Sequence, residues 1–232
     1  MIATNVYILG ASYPIAGEKP TVLQEISVKT KVLDWQLNSL EVIGNKRINF
    51  LGGYHIEDII NQYPEINYII VKNWKSNTVL NTFFQADFED TAAIFTYADT
   101  IFRPDIINKV SQAKGDITVA IDVNYQNRFE DRPKSDLRIA EIITPTDGKY
   151  QGCKSEFTGL FHLSQRIIEK IKLLKNEVPG DNLLDLFSYL KKEGFSIDFI
   201  DVGNNWAELN EPKDVARFVL GNKAETLSRL GP

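Results

Sequence analysis

The chain has 232 residues, a formal net charge of −5 and an ordinary globular composition of 43% apolar, 25% charged and 11% aromatic residues, enough for one large α/β domain or two small ones. The acidic balance argues against a nucleic-acid binder working through a basic stripe; the single Cys153 excludes an internal disulfide and fits a reducing compartment; His55 and His162 are too few and too far apart for a typical zinc site. No apolar run approaches the roughly 18 residues of a membrane span, and no charged segment leads into an apolar one at the N-terminus, so a soluble, cytoplasmic protein is expected.

Asn5–Gly10 is a short apolar run closing on glycine and reads as the first strand. The loop after it carries Gly10, Ala11, Ser12, Gly17 and Lys19. Small residues at that place either turn the chain or wrap phosphates with backbone N–H groups. Val32–Leu40 has the spacing of an amphipathic helix, Arg47–Gly53 reads as a second strand, Ile56–Gln62 as a short helix and Tyr68–Val71 as a third strand. A polar segment from Lys72 to Asn81 and a helix near Val79–Ala86 lead to the run Ala92–Tyr97. Its unbroken apolar character is that of a strand buried on both faces of a parallel sheet. Asp99 follows directly, and Pro104 suits the first turn of the next helix. Ligands of open α/β sheets lie beyond the carboxyl ends of the strands. Asp99 is therefore either a hard oxygen ligand for Mg²⁺ facing a polyphosphate or a cap of the following turn.

Ile106–Val110 reads as a helix and Ile117–Asp122 as a fifth strand, again ending on a carboxylate. The loop Arg128–Ser135 is densely charged, with Arg128, Arg132 and Lys134 among Glu130 and Asp131, and is either solvated or an anion site. Leu137–Thr144 alternates like a strand, Phe157–Phe161 resembles another, and helices are predicted over Ser164–Lys175 and Asn182–Glu193. A late strand with one wet face spans Phe195–Val202, and a last helix Asp214–Leu220. Alternation of strands and helices without an internal repeat or a Pro/Gly/Ser linker predicts one α/β domain over residues 1–220, a doubly wound, mostly parallel sheet.

The order of these pieces resembles the nucleotidyltransferase superfamily of sugar-phosphate, phosphocholine and phosphonate nucleotidylyltransferases, from Asn5 to about Leu220. Ile8-Leu9-Gly10-Ala11-Ser12 through Lys19-Pro20 holds the place of its strand, glycine-rich loop and lysine. Gly52-Gly53-Tyr54 falls where the family has a Gly-Tyr after its second strand. Asn73 with Asn77-Thr78-Val79 resembles an Asn…Asn-Ser-Ile segment that approaches the nucleotide. Tyr97-Ala98-Asp99 resembles the Gly-Asp strand end whose aspartate binds Mg²⁺. Asp122 with Arg128 and Arg132 is similar to a Val-Asp…Tyr…Arg segment, Glu156-Phe157-Thr158-Gly159 to Glu-Phe-Ile-Gly, and Trp206-Ala207-Glu208-Leu209-Asn210-Glu211-Pro212 to the element that supplies the second metal ligand.

The resemblance implies a Rossmann-like fold and an Mg²⁺-dependent nucleotidylyltransferase that joins an NTP, with CTP favoured, to a phosphorylated or phosphonate small molecule and releases pyrophosphate. It implies catalytic roles for Asp99 and Lys19; nucleotide contacts from Gly10, Ala11, Ser12, Asn73, Asn77 and Thr78; acceptor contacts from Asp122, Arg128, Arg132 and Glu156, with Lys134 beside them; and metal ligation by Asp99, Asn210 and Glu208. Where the family reads Ala-Ala-Gly-x-Gly-x-Arg, this chain reads Gly10-Ala11-Ser12-Tyr13-Pro14-Ile15-Ala16-Gly17: the arginine is missing and Pro14 removes a backbone donor. That erosion motivates an alternative, a catalytically reduced nucleotide-binding or regulatory module. A metal-dependent GT-A glycosyltransferase would want Asp-x-Asp where Tyr97-Ala98-Asp99 offers one carboxylate. Val219–Leu230 resembles the Gly-x-Lys-Ala-x-x-Leu opening of phosphoenolpyruvate-synthase-type ATP-grasp domains, so residues 221–232 are either a plain terminal helix or the start of a further domain in a longer protein.

Overall fold

The computed structural model describes residues 3–11, 19–129, 140–174, 177–203, 205–210 and 212–220. In chain order its elements are β1 (Thr4–Gly10), β2 (Glu25–Ser27), β3 (Thr30–Lys31), α1 (Val32–Leu40), β4 (Lys46–Gly52), α2 (Ile56–Gln62), β5 (Asn67–Ile70), α3 (Val79–Phe83), β6 (Ala93–Tyr97), β7 (Thr100–Phe102), α4 (Pro104–Ser111), β8 (Ile117–Asp122), β9 (Ile142–Ile143), β10 (Ser155–Leu163), α5 (Gln165–Leu173), α6 (Leu183–Lys192), β11 (Ile197–Asp201), β12 (Trp206–Glu208) and α7 (Pro212–Leu220). The main sheet has the order β11-β8-β10-β6-β1-β4-β5, with β9 paired to β10. β1 lies parallel to both β4 and β6, β4 to β5, and β11 to β8; β10 alone runs antiparallel between β6 and β8.

The alternation of β1 divides the core. Val6 and Ile8 face a layer built by Leu33 and Leu40 of α1, Ile56 and Ile59 of α2, and Ile106, Ile107 and Val110 of α4. Tyr7 and Leu9 face the opposite layer, where Phe83 of α3, Ile167, Ile168 and Ile171 of α5, and Leu186, Phe187 and Leu190 of α6 pack. Both faces are thus covered, which is why β6 and β8 read as unbroken apolar runs rather than alternating ones. On the second face Tyr7, Phe95 and Phe161 sit opposite one another on three adjacent strands. Their rings stack, with centroids 4.9 Å apart in each successive pair and near-parallel planes. Phe83 and Phe187 close on this ladder at tilted and edge-on angles.

Several expectations are corrected at their boundaries. The helix expected near Val79–Ala86 ends at Phe83, and the last helix begins at Pro212. Of the strand expected over Leu137–Thr144, residues 137–139 lie outside the described ones, and among the described residues Ile142–Ile143 pair with β10. β2, β3, β7 and β12 were not legible, because two- and three-residue strands have no periodicity to read. Residues 221–232, and with them the second resemblance, lie outside the described residues. Among those described, no helix is long and apolar enough to cross a membrane.

Phe95→Ala should cost about 3–5 kcal/mol of unfolding free energy in ligand-free urea titrations, because it removes the middle ring of the ladder. Phe95→Leu should cost clearly less. A Phe95→Leu variant as stable as wild type would mean that the stack contributes nothing beyond volume.

Candidate functional site

The corner after β6 is built to be rigid. Gln36, buried on α1, donates its amide to the carbonyls of Tyr97 (2.8 Å) and Thr100 (2.6 Å). The Trp35 indole and the Ser39 hydroxyl both donate to the carbonyl of Phe102, at 3.1 and 2.8 Å. Three side chains of one helix therefore satisfy backbone acceptors that the sheet leaves over, and buried carbonyls need such partners. Asp99 sits at the centre of this corner.

The second half of the site arrives from far along the chain. β12 pairs antiparallel with β7, setting Glu208 opposite Thr100, and the Leu209 N–H donates to the Asp99 carbonyl at 2.7 Å. This small ladder brings Glu208 and Asn210 to the cavity that Asp99 enters. It is anchored beneath by Trp206, whose indole donates to Asp122 at 2.9 Å and whose ring stacks on Phe102.

Asp99 retains some exposure to the cleft, but its Oδ1 is sealed from solvent and receives no hydrogen bond. Burial, then the charge of Glu208 and those of Glu141 and Asp214, pushes its carboxyl up to about 7. Glu141 is pushed up to about 7 as well, by burial and by Glu208, against the stabilising hydrogen bond from the Tyr97 hydroxyl. That hydroxyl donates to Glu141 Oε2 at 3.0 Å, and burial with the nearby carboxylates keeps Tyr97 protonated. The Tyr97 ring finds room because β10 bulges between Phe157 and Phe161. There Gly159 has φ +80°, and a Cβ on it would come within 2.5 Å of the ring, so only glycine serves both the conformation and the approach.

Two cavities of about 180 Å³ each meet at this corner. The first runs from Gly10 and Ala11 past Pro20, Thr21 and Tyr54 to Asn77, Thr78 and Thr82. Its floor includes Phe50, and a Cβ on Gly10 would lie 2.5 Å from that ring, so glycine is what lets β1 end here. The second is lined by Glu156, Phe157, Thr158, Trp206, Glu208 and Asn210. Tyr97, Asp99 and Glu141 line both.

Of the residues singled out in the sequence, Gly10, Ala11, Asn77, Thr78 and Asp99 thus meet in one cavity, and Asp99, Glu156, Glu208 and Asn210 in the other. Thr78 also caps α3 by accepting the Asn81 N–H, and Asn77 donates to Thr82. Lys19 is exposed and next to the lining residue Pro20; Asn73 is exposed, at the start of a single turn, and is not in the lining. Asp122, expected to touch substrate, lines neither cavity: it is buried, with its carboxylate accepting from the Trp206 indole and from the Asn124 N–H at 2.8 Å. Ser12, Arg132 and Lys134 lie outside the described residues, as does the side chain of Arg128. Glu141, Thr21, Tyr54 and Thr82 were missed. Glu141 falls within the stretch that reads as an alternating strand, Leu137–Thr144, but stands just before the two-residue β9, and no motif marks it as a site residue.

The site is an acceptor-rich, anionic wall facing a groove of mixed polar and apolar lining. Such a wall repels phosphate unless a cation lies between. Among the described residues no three His, Cys, Asp or Glu side chains converge closely enough to hold an ion unaided. A hard cation at Asp99 and Glu208 would therefore share its shell with substrate oxygens and water, as Mg²⁺ commonly does.

No family model matches the chain. It is similar to the CTP:phosphoglutamine cytidylyltransferase of Campylobacter jejuni, at 22% identity over an alignment of 247 residues that covers 91% of this chain and 97% of that protein. Among solved structures it is similar to the inositol-1-phosphate CTP transferase from T. maritima, with a TM-score of 0.68, 18% identity and coverage of 98% of this chain and 96% of that one. It is also similar to HddC from Yersinia pseudotuberculosis, with a TM-score of 0.65, 18% identity and coverage of 94% and 98%, a protein also solved in complex with GMP-PN. These structures share the mixed sheet and its helical layers across nearly their whole length.

The raised carboxyl of Asp99 has a stability signature. Its folded form holds a proton up to about pH 7, whereas an unfolded carboxylate has lost it by about pH 4. Stability from this group is therefore present at low pH and declines as pH rises between those values. His162, pushed down to about 4 by burial, acts in the opposite direction, losing stability as pH falls. Asp99→Asn removes only the first contribution. Its melting temperature relative to wild type should climb between about pH 4 and 7 and level off above; a difference independent of pH would contradict the assignment.

Proposed function

We propose that this chain, a member of the nucleotidyltransferase superfamily, is a cytidylyltransferase that transfers CMP from CTP to a phosphorylated or phosphonate small molecule. The observation that carries the reading is the meeting of two cavities at Asp99, with Glu208 and Asn210 brought to the same corner by β12. One cavity suits the nucleotide and the other the acceptor. The CTP preference is supported by the names of two relatives, both CTP-utilising.

In the reaction an acceptor phosphate or phosphonate oxygen attacks the α-phosphorus in line; the new P–O bond forms as the Pα–O–Pβ link breaks, and the electron pair leaves with pyrophosphate. No covalent enzyme intermediate is needed, so the protein's task is alignment and charge neutralisation. Mg²⁺ fits the donor set, an orphaned Asp99 oxygen beside Glu208 and the amide of Asn210, and when bound would offset charge at the α-phosphate. The backbone of Gly10, Ala11 and Ser12, with Lys19, steadies the triphosphate; Asn77 and Thr78, in the lining of the first cavity, meet base and ribose, with Asn73 reaching them from outside that lining. Arg128, Arg132 and Lys134 draw in the acceptor's anionic end, which arginine meets bidentately. Glu156 lines the acceptor cavity, and Asp122 contributes by holding Trp206. CTP and Mg²⁺ are cytoplasmic solutes, and the cytoplasm is the compartment in which this chemistry would run.

Pyrophosphate release with CTP, UTP, dTTP, ATP or GTP against a panel of small phosphate and phosphonate acceptors tests the reading. CTP should give the highest turnover, and Asp99→Asn should lower it by about 10²–10³. Arg132→Ala should raise the acceptor KM about tenfold with little change in the KM for CTP. Absence of release with every pair, or an Asp99→Asn variant with more than about a tenth of wild-type turnover, would contradict it.

A further inference from the structure

Two neighbouring parallel strands run out through the same tripeptide, β8 as Ile121-Asp122-Val123 and β11 as Ile200-Asp201-Val202. Each aspartate accepts from both of the segments that follow these strands. Asp201 Oδ1 takes the N–H of Val123, after β8, at 3.3 Å and that of Gly203, after β11, at 3.1 Å. Asp122 Oδ1 takes the Asn124 N–H at 2.8 Å, and its Oδ2 takes the Trp206 indole N–H at 2.9 Å. The Val202 N–H adds a bond to the Ile121 carbonyl at 2.8 Å. The loop that leads from β8 toward Arg128 is thereby tied to the turn that leads into β12. That strand ends on Glu208, and Asn210 lies just beyond it.

The two carboxylates differ in what their oxygens do. Asp201 meets two donors with one oxygen, a task that an amide oxygen also performs. Asp122 is buried and gives one oxygen to each donor. An amide in its place would turn its NH2 toward one of the two N–H groups and leave a buried donor unpaired. Trp206 is buried as well, and its ring stacks on Phe102 of β7, the strand that pairs with β12. The indole bond therefore fixes the first residue of a three-residue strand whose last residue is Glu208. A shift at Trp206 is a shift at the metal corner, while Asp122 itself lines neither cavity.

We propose that Asp122 is a positioning residue that acts through Trp206: it sets Glu208 and Asn210 beside Asp99 and makes no contact with the acceptor. This role rests on the nucleotidyl-transfer reading for what the corner holds. It departs from the acceptor contact that the family resemblance implies for Asp122.

Three variants test it: Asp122→Asn, Asp201→Asn and Trp206→Phe, the last keeping a ring on Phe102 while removing the donor. In metal-free protein the Trp206 indole N–H resonance, assigned by its loss in Trp206→Phe, should move upfield in Asp122→Asn and much less in Asp201→Asn. In melting-temperature titrations with Mg²⁺ alone, the midpoint concentration should rise about tenfold in Asp122→Asn and by a smaller factor in Trp206→Phe. The double variant Asp122→Asn/Trp206→Phe should be no worse than Asp122→Asn, because the clash of donors is gone. In turnover, Asp122→Asn should lower kcat about tenfold and leave the acceptor KM within about twofold. An unmoved indole resonance, a wild type without an Mg²⁺ response, an Mg²⁺ midpoint unchanged in both Asp122→Asn and Trp206→Phe, or an acceptor KM that rises while kcat holds would each overturn the assignment. Where Asp122→Asn does not fold, Trp206→Phe carries the same Mg²⁺ and kcat comparison. Pyrophosphate release with only the acceptor KM altered in Asp122→Asn sinks the positioning role alone; the expected indole and Mg²⁺ shifts in a protein that releases no pyrophosphate sink the transfer reading alone.

Discussion

The Leu209 N–H bonded to the Asp99 carbonyl, continued by the β7–β12 ladder, places two carboxylates beside each other by a constraint blind to their charge. Backbone hydrogen bonds set the register, α1 locks the corner through Gln36, Trp35 and Ser39, and the charge of Glu208 then falls on the buried Asp99. In the absence of a cation the fold tolerates that repulsion, partly by raising the affinity of Asp99 for a proton. Strain of this electrostatic kind, imposed by surrounding structure, is what a functional site is expected to contain.

How the rest of the fold serves this corner follows from its topology. Parallel strands end on the same edge, so β1 delivers Gly10 and Ala11 to the edge where β6 delivers Asp99. The antiparallel β10 enters from the opposite direction and begins at that edge, bringing Glu156, Phe157 and Thr158. A mixed sheet thereby supplies two walls where a purely parallel one would supply one. The aromatic ladder of Tyr7, Phe95 and Phe161 ties β1, β6 and β10 together below the site.

The parts legible in the sequence are those whose signal is local. β6 and β8 could be read because burial on both faces leaves an unbroken apolar run, and α2 because its apolar residues repeat at helical spacing. Asp99 stood out because a charged residue after such a run lies at a strand end. The direction of β10 was not legible, since alternation looks the same in either orientation. β7 and β12 exist only as each other's partners across a long stretch of chain. Asp122 had the same strand-end signal as Asp99 but a different fate, decided by whether a distant indole reaches it; Trp206 does. Glu141 falls in a stretch that reads only as an alternating strand and carries no sign of a site, because its place depends on Tyr97 and on a glycine bulge in another strand.

The central claim, that the β7–β12 ladder forces Asp99 and Glu208 together to receive a divalent cation, is tested most directly by a double-mutant cycle with Asp99→Asn and Glu208→Gln, read as melting temperature with and without Mg²⁺ at a pH above the Asp99 titration. Without metal, each single substitution should raise the melting temperature and the double should gain less than their sum, because either one relieves the same repulsion. Added Mg²⁺ should stabilise wild type and lose most of that effect in both single variants. Additive changes without metal, or an Mg²⁺ response that survives Asp99→Asn, would contradict it.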